Sequence, residues 1–88
     1  MVSKPIKPKK NDIVPGQMLV VRPGTVLPLN PHDMLMTGKC VGLEAGEELT
    51  IVRGPHKLMG INLVTIQLVD LSQYECFYIQ TLQCCYIK

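Results

Sequence analysis

The sequence predicts a single small all-β domain, five to six strands closed into a small barrel, preceded by a flexible basic arm. Three observations predict it. The chain has 88 residues, which fits one domain and no more. Its apolar residues make up 47% of the chain, with no Trp, one Phe and three Tyr. The core is therefore aliphatic, and its Val and Ile side chains suit a pleated surface. Seven prolines and seven glycines punctuate the chain at short intervals, and few stretches between them show a 3.6-residue apolar stripe.

The arm is residues 1–13 and the folded domain residues 14–88. Pro5 and Pro8 exclude a helix interior in the arm, and its lysines resist burial. Val14-Pro15-Gly16 is the turn that opens the body. Gln17–Arg22 is the first strand, stopped by Pro23-Gly24. Thr25–Leu29 is a short extended piece that Pro28 restricts to an edge or a loop. Asn30-Pro31-His32-Asp33 turns the chain, and Asn30 or Asp33 caps a helical turn over Met34–Met36 that ends at Gly38. Lys39–Leu43 is a short strand.

After the turn Glu44–Glu47, Glu48–Arg53 alternates as a strand with Leu49 and Ile51 inward. Gly54–Gly60 is a loop bracketed by glycines. Asn62–Val69 is the clearest strand, with Val64, Ile66 and Leu68 on one face and Thr65 and Gln67 on the other. Asp70–Gln73 turns the chain, Tyr74–Ile79 is a strand, Gln80-Thr81-Leu82 a connector and Gln83–Ile87 the last strand. Short strands spaced by about 8–12 residues suit a sandwich or small barrel.

The formal charge of +2 is unevenly placed. Lys4, Lys7, Lys9 and Lys10 all lie in the first ten residues, with no acid among them. Without these four, five basic groups face seven acidic ones, so the body carries −2. The start of the chain is polar and shows no secretory signal, and no apolar run approaches the ~20 residues of a membrane span. These features predict a cytoplasmic protein with no membrane partner, whose Cys40, Cys76, Cys84 and Cys85 are reduced.

No local signature joins the cysteines to His32 or His56, and no C-x-x-C pair offers zinc its usual ligands. The sequence therefore predicts no catalytic residue, no metal site and no cofactor. Binding is the remaining class of function. Arg53, His56, Lys57, Leu58 and Met59 mix basic and apolar character in the 54–60 loop region, which suits protein recognition. Tyr74, Tyr78 and Tyr86 fall on strands with apolar residues on both faces, so they are candidates to line an exposed patch.

The order of elements from Leu43 to Ile87 resembles the Src-homology-3 pattern. Leu43-Glu44-Ala45-Gly46-Glu47-Glu48-Leu49-Thr50-Ile51-Val52 matches that family's diverging turn and the strand after it. Gly54–Gly60 matches its variable loop, and Asn62–Val69 with Tyr74–Ile79 its two strands about a distal turn. Gln80-Thr81-Leu82 matches its single-turn connector. The resemblance covers about half the chain and implies a Src-homology-3-like barrel. The tryptophan that normally follows the variable loop is missing, and Met18-Leu19-Val20-Val21 stands where an aromatic-rich strand is usual. Recognition of proline-rich peptides is therefore not implied.

Gly46-Glu47-Glu48-Leu49-Thr50-Ile51-Val52-Arg53-Gly54-Pro55-His56-Lys57 also resembles the KOW motif of ribosomal and transcription-elongation proteins, which contacts RNA or protein. Two functions follow as expectations. The first is a stand-alone, non-enzymatic binding module with a protein partner or a second copy of itself, such as a small inhibitor or accessory factor of the kind viruses encode. The alternative is nucleic-acid binding through Lys4, Lys7, Lys9, Lys10, Arg53 and Lys57, against which the negative body counts. A small-ligand site at an oligomer interface is a weaker third.

Overall fold

A computed structural model describes residues 6–31 and 41–88. The strands are β1 (Met18–Val21), β2 (Leu27–Pro31), β3 (Val41–Leu43), β4 (Glu48–Leu58), β5 (Ile61–Leu68), β6 (Gln73–Phe77) and β7 (Cys85–Ile87). A helix α1 (Tyr78–Cys84) joins β6 to β7, and a 3-10 turn spans Lys10–Asp12. The strands form one antiparallel sheet in the order β3-β2-β6-β5-β4-β1-β7. The all-β expectation holds, but the sheet has seven strands and does not close, where five to six strands in a barrel were expected.

β2 is shared between two neighbours. Leu27–Leu29 pairs only with β3 and Asn30–Pro31 only with β6. A proline stands in each of these ladders, Pro28 opposite Gly42 and Pro31 opposite Tyr74, where it supplies no N–H. The helical turn expected over 34–36 lies outside the described residues, as do His32 and Cys40.

The core sits on one face of the strands and obeys period two. β1 supplies Leu19 and Val21, β2 Leu27 and Leu29, β4 Leu49 and Ile51, and β5 Val64 and Ile66, all essentially without solvent contact. Register explains the set: Leu19 lies opposite Leu49, Leu49 opposite Leu68, and Ile51 opposite Ile66. Each fully buried aliphatic side chain contributes about 1.5–3 kcal/mol.

The domain boundary expected at residue 14 divides residues that pack together. Ile13 is 2% exposed and belongs to the core. Pro8 is buried, and the N–H of Ile87 donates to the Ile6 carbonyl at 2.8 Å. The chain from Ile13 onward runs beside β4. The Gly16 N–H donates to the Ile51 carbonyl at 2.8 Å, and the Ile51 N–H to the Gln17 carbonyl at 2.9 Å. Gly54 permits this approach: a Cβ there would lie 3.0 Å from the Ile13 carbonyl oxygen.

Gly54–Gly60, expected as a loop, is mostly strand. β4 continues to Leu58 because irregularities between Ile51 and Arg53, and between Arg53 and His56, absorb the extra residues. Only Met59 and Gly60 remain to turn the chain, with φ of 53° and 81°. Two successive positive φ values match the hairpin turn that prefers Asn-Gly. Leu71, in the turn between β5 and β6, also has positive φ, at 73°. Both side chains are well exposed, so little burial offsets the strain. Met59→Asn and Leu71→Gly should each stabilise the fold by about 1 kcal/mol, seen as a higher urea midpoint at constant slope. A lower midpoint for both would show that these side chains pack in the folded state.

Candidate functional site

Two constellations emerge where β5 begins and β6 ends. The first is an apolar cleft. The sequence Tyr78-Ile79-Gln80-Thr81-Leu82-Gln83-Cys84 turns Tyr78, Thr81 and Leu82 inward at helical spacing and leaves Ile79 outward. This short helix takes the last two residues of the strand expected over Tyr74–Ile79, the whole expected connector Gln80–Leu82, and the first two residues of the last strand expected over Gln83–Ile87. Thr81 anchors it: its hydroxyl donates to the Phe77 carbonyl at 3.0 Å and lies 3.0 Å from the Cys76 sulfur. Between the helix and the start of β5 opens a cleft of about 540 Å³, lined by Ile61, Asn62, Phe77, Tyr78, Ile79, Gln80 and Leu82. None of these side chains is charged. Ile61 is 41% and Ile79 61% exposed, and Gln80 Oε1 is buried without a hydrogen-bond partner.

The second is a buried polar cluster further along β5 and β6. Thr65 pairs with Glu75 across β5 and β6, and Leu63 pairs with His56 across β5 and β4. The irregularities in β4 set that register, so His56 points toward Glu75. Its Nε2 lies 2.9 Å from Glu75 Oε1, and its Nδ1 lies 2.9 Å from the Gly54 carbonyl. The Thr65 hydroxyl lies 3.0 and 2.8 Å from the two carboxylate oxygens. Both ring nitrogens therefore lie within hydrogen-bond distance of an oxygen acceptor. Glu75 is 2% exposed; the cluster is a structural cross-brace between β4, β5 and β6.

The predicted binding residues therefore separate. His56 faces inward to Glu75. Arg53 and Lys57 are exposed on β4, Leu58 is half-buried at its end, and Met59 is exposed at the turn. Tyr74 and Tyr78 are half-buried against the core, Tyr86 is half-buried on β7, and only Tyr78 lines the cleft. Of the basic set, Lys7, Lys9, Lys10, Arg53 and Lys57 are exposed, and Lys4 lies outside the described residues. The close approach of the Ile13 backbone to Gly54 places the residue three positions after Lys10 against the neighbour of Arg53 in β4.

The sequence reading missed Ile61, Phe77, Ile79 and Leu82 as a surface. A signal was present: Tyr78 and Leu82 stand four residues apart, which fits a helix as well as a strand. The described cysteines, Cys76, Cys84 and Cys85, are free thiols. Burial pushes the Cys76 thiol up to about 11 and the Cys85 thiol up to about 12, from an ordinary 9.0. Above pH ~9 the unfolded chain loses these protons while the folded one retains them. Stability should therefore fall as pH rises from 9 toward these values, by about 1.4 kcal/mol per pH unit for each thiol. Urea midpoints measured between pH 8 and pH 11 check this, and Cys85→Val should flatten the profile.

Among the described residues, no group of three His, Cys, Asp or Glu side chains is placed to hold a metal ion. No helix among them is long and apolar enough to cross a membrane. Compared with protein-family models, with curated proteins and with solved structures, the chain matches none.

Proposed function

We propose that this chain is a non-enzymatic protein-binding module, a small inhibitor or accessory factor that acts by occupying a partner's surface through the cleft beside α1. The observation that carries the reading is the cleft itself. It is uncharged and floored by Phe77, Tyr78 and Leu82, and two exposed isoleucines stand at its rim. Aromatic and aliphatic residues free of charge are the composition of an interface core. The succession β4, β5, tight turn, β6, short helix, β7 supports the Src-homology-3-like reading of the second half. The lining also explains why proline-rich ligands are a poor fit, since the cleft has only two aromatic rings.

The test is capture from the native cell with the wild-type chain and with Ile61→Asp/Ile79→Asp. Both replaced side chains are exposed, so circular dichroism should not change. The wild type should retain a defined partner that the variant loses by at least ~100-fold in affinity. Capture of the same set by both proteins would remove the cleft from the function.

A second reading, KOW-like nucleic-acid binding, is favoured by one observation: Lys7, Lys9, Lys10, Arg53 and Lys57 are all exposed, and the Ile13 backbone runs against Gly54, next to Arg53. It predicts RNA affinity that falls steeply with salt and is lost in Lys9→Ala/Lys10→Ala/Arg53→Ala.

A further inference from the structure

The acidic residues of the body collect at the end of the fold away from the cleft. The turn between β3 and β4 carries Glu44, Glu47 and Glu48, and the turn between β5 and β6 carries Asp70. Of the remaining acids, Glu75 is buried, Asp12 sits in the 3-10 turn, and Asp33 lies outside the described residues. The two turns meet. Glu47, Glu48 and Asp70 line one hollow of about 420 Å³ with Leu43, Leu68 and Val69. A second hollow of about 280 Å³ shares Glu48, Leu68 and Val69 and adds Met18 and Leu71. Val69 is 81% and Leu71 73% exposed. This end is thus an apolar surface with carboxylates around it. Lys88 answers only Glu48, at 2.6 Å.

The same chain carries the complement. Ile6 is 61% exposed, and Lys7, Lys9 and Lys10 beside it are exposed as well. The bond from the Ile87 N–H to the Ile6 carbonyl and the burial of Pro8 fix the segment's backbone against its own domain, while the side chains of Ile6, Lys7, Lys9 and Lys10 face solvent. We propose that the acidic, apolar end of one copy docks the Ile6–Lys10 segment of a second copy. Ile6 packs on Val69 and Leu71, and the lysines lie against Glu47, Glu48 and Asp70. The charges choose this occupant. A nucleic acid would be repelled by the carboxylates, whereas a basic segment with one apolar side chain meets both features of the surface.

Sedimentation velocity of the full chain between about 20 and about 500 mM salt tests the proposal. Self-association should weaken by at least ~10-fold across that range, because exposed ion pairs are screened. Glu47→Lys/Glu48→Lys should be monomeric, and so should Lys7→Glu/Lys9→Glu/Lys10→Glu. Mixed together, the two variants should associate again, since each supplies the surface the other has lost. Val69→Ser, which alters an exposed side chain outside the charged set, should also weaken association. Cross-links between isotopically labelled and unlabelled copies should join the lysines of one to the carboxylates of the other. A wild type that is monomeric at every salt concentration would overturn the proposal. So would a mixture of the two charge variants that stays monomeric, or cross-links found only within one copy.

Discussion

Replacing Glu75 by alanine should cost about 3–5 kcal/mol of stability. Folds of this length hold in all only about 4–13 kcal/mol, at about 0.05–0.15 kcal/mol per residue. The large effect follows from what the carboxylate leaves behind. Glu75 is 2% exposed, and it faces His56 at 2.9 Å while accepting from the Thr65 hydroxyl on both oxygens. Without it, the half-buried His56 ring loses its side-chain partner and the buried Thr65 hydroxyl loses its acceptor. The loss should appear as a lower urea midpoint with the slope unchanged. Replacing both partners, as His56→Leu/Glu75→Leu, should recover most of it, because apolar side chains of similar volume replace a desolvated pair at little cost. A penalty below ~1 kcal/mol for Glu75→Ala would mean that water already reaches the pair.

The second large effect is expected at a residue that the sequence places outside the domain. Ile13→Ala should cost about 2–5 kcal/mol, because its side chain is 2% exposed within the core cluster. Ile6→Ala, at a side chain 61% exposed, should change stability by less than ~0.5 kcal/mol. Removal of residues 1–13 should then be at least as costly as Ile13→Ala alone. Thermal denaturation of the three variants separates a packed segment from a dispensable one. Equal effects from Ile6 and Ile13 would contradict the burial of Ile13.

Most of the strand plan could be read from period two, because Leu19/Val21, Leu49/Ile51 and Val64/Ile66 alternate with polar or half-exposed neighbours. What escaped has physical causes. Gly54-Pro55 reads as a loop, but here a bulged strand accommodates it, and a bulge changes which face the following residues present. That change puts His56 inside. Its partner Glu75 is 19 residues away, a pairing that no local pattern announces. Ile13 was hidden by the lysines and prolines before it, since composition over a window outweighs one buried side chain. On β5 the sequence alternates, yet Leu63 to Ile66 are all buried, so the pattern does not disclose that the Thr65 face is covered as well. The helix α1 is only seven residues long, too short for a helical period to stand out from a strand.

The strand order carries a consequence for how the chain folds. β4, β5 and β6 are neighbours both along the chain and across the sheet, and their junctions at Met59-Gly60 and Val69–Ser72 are tight. Closing such short segments is entropically cheap, so this meander is the unit able to nucleate first. β1 instead lies between β4 and β7, and its pairing of Val20 with Tyr86 brings together opposite extremes of the polypeptide. That step needs a far longer loop closure than the meander does and belongs late in assembly, together with the bridge from Ile6 to Ile87. Mutations in β5 should therefore slow refolding, whereas mutations at the β1–β7 seam should chiefly accelerate unfolding.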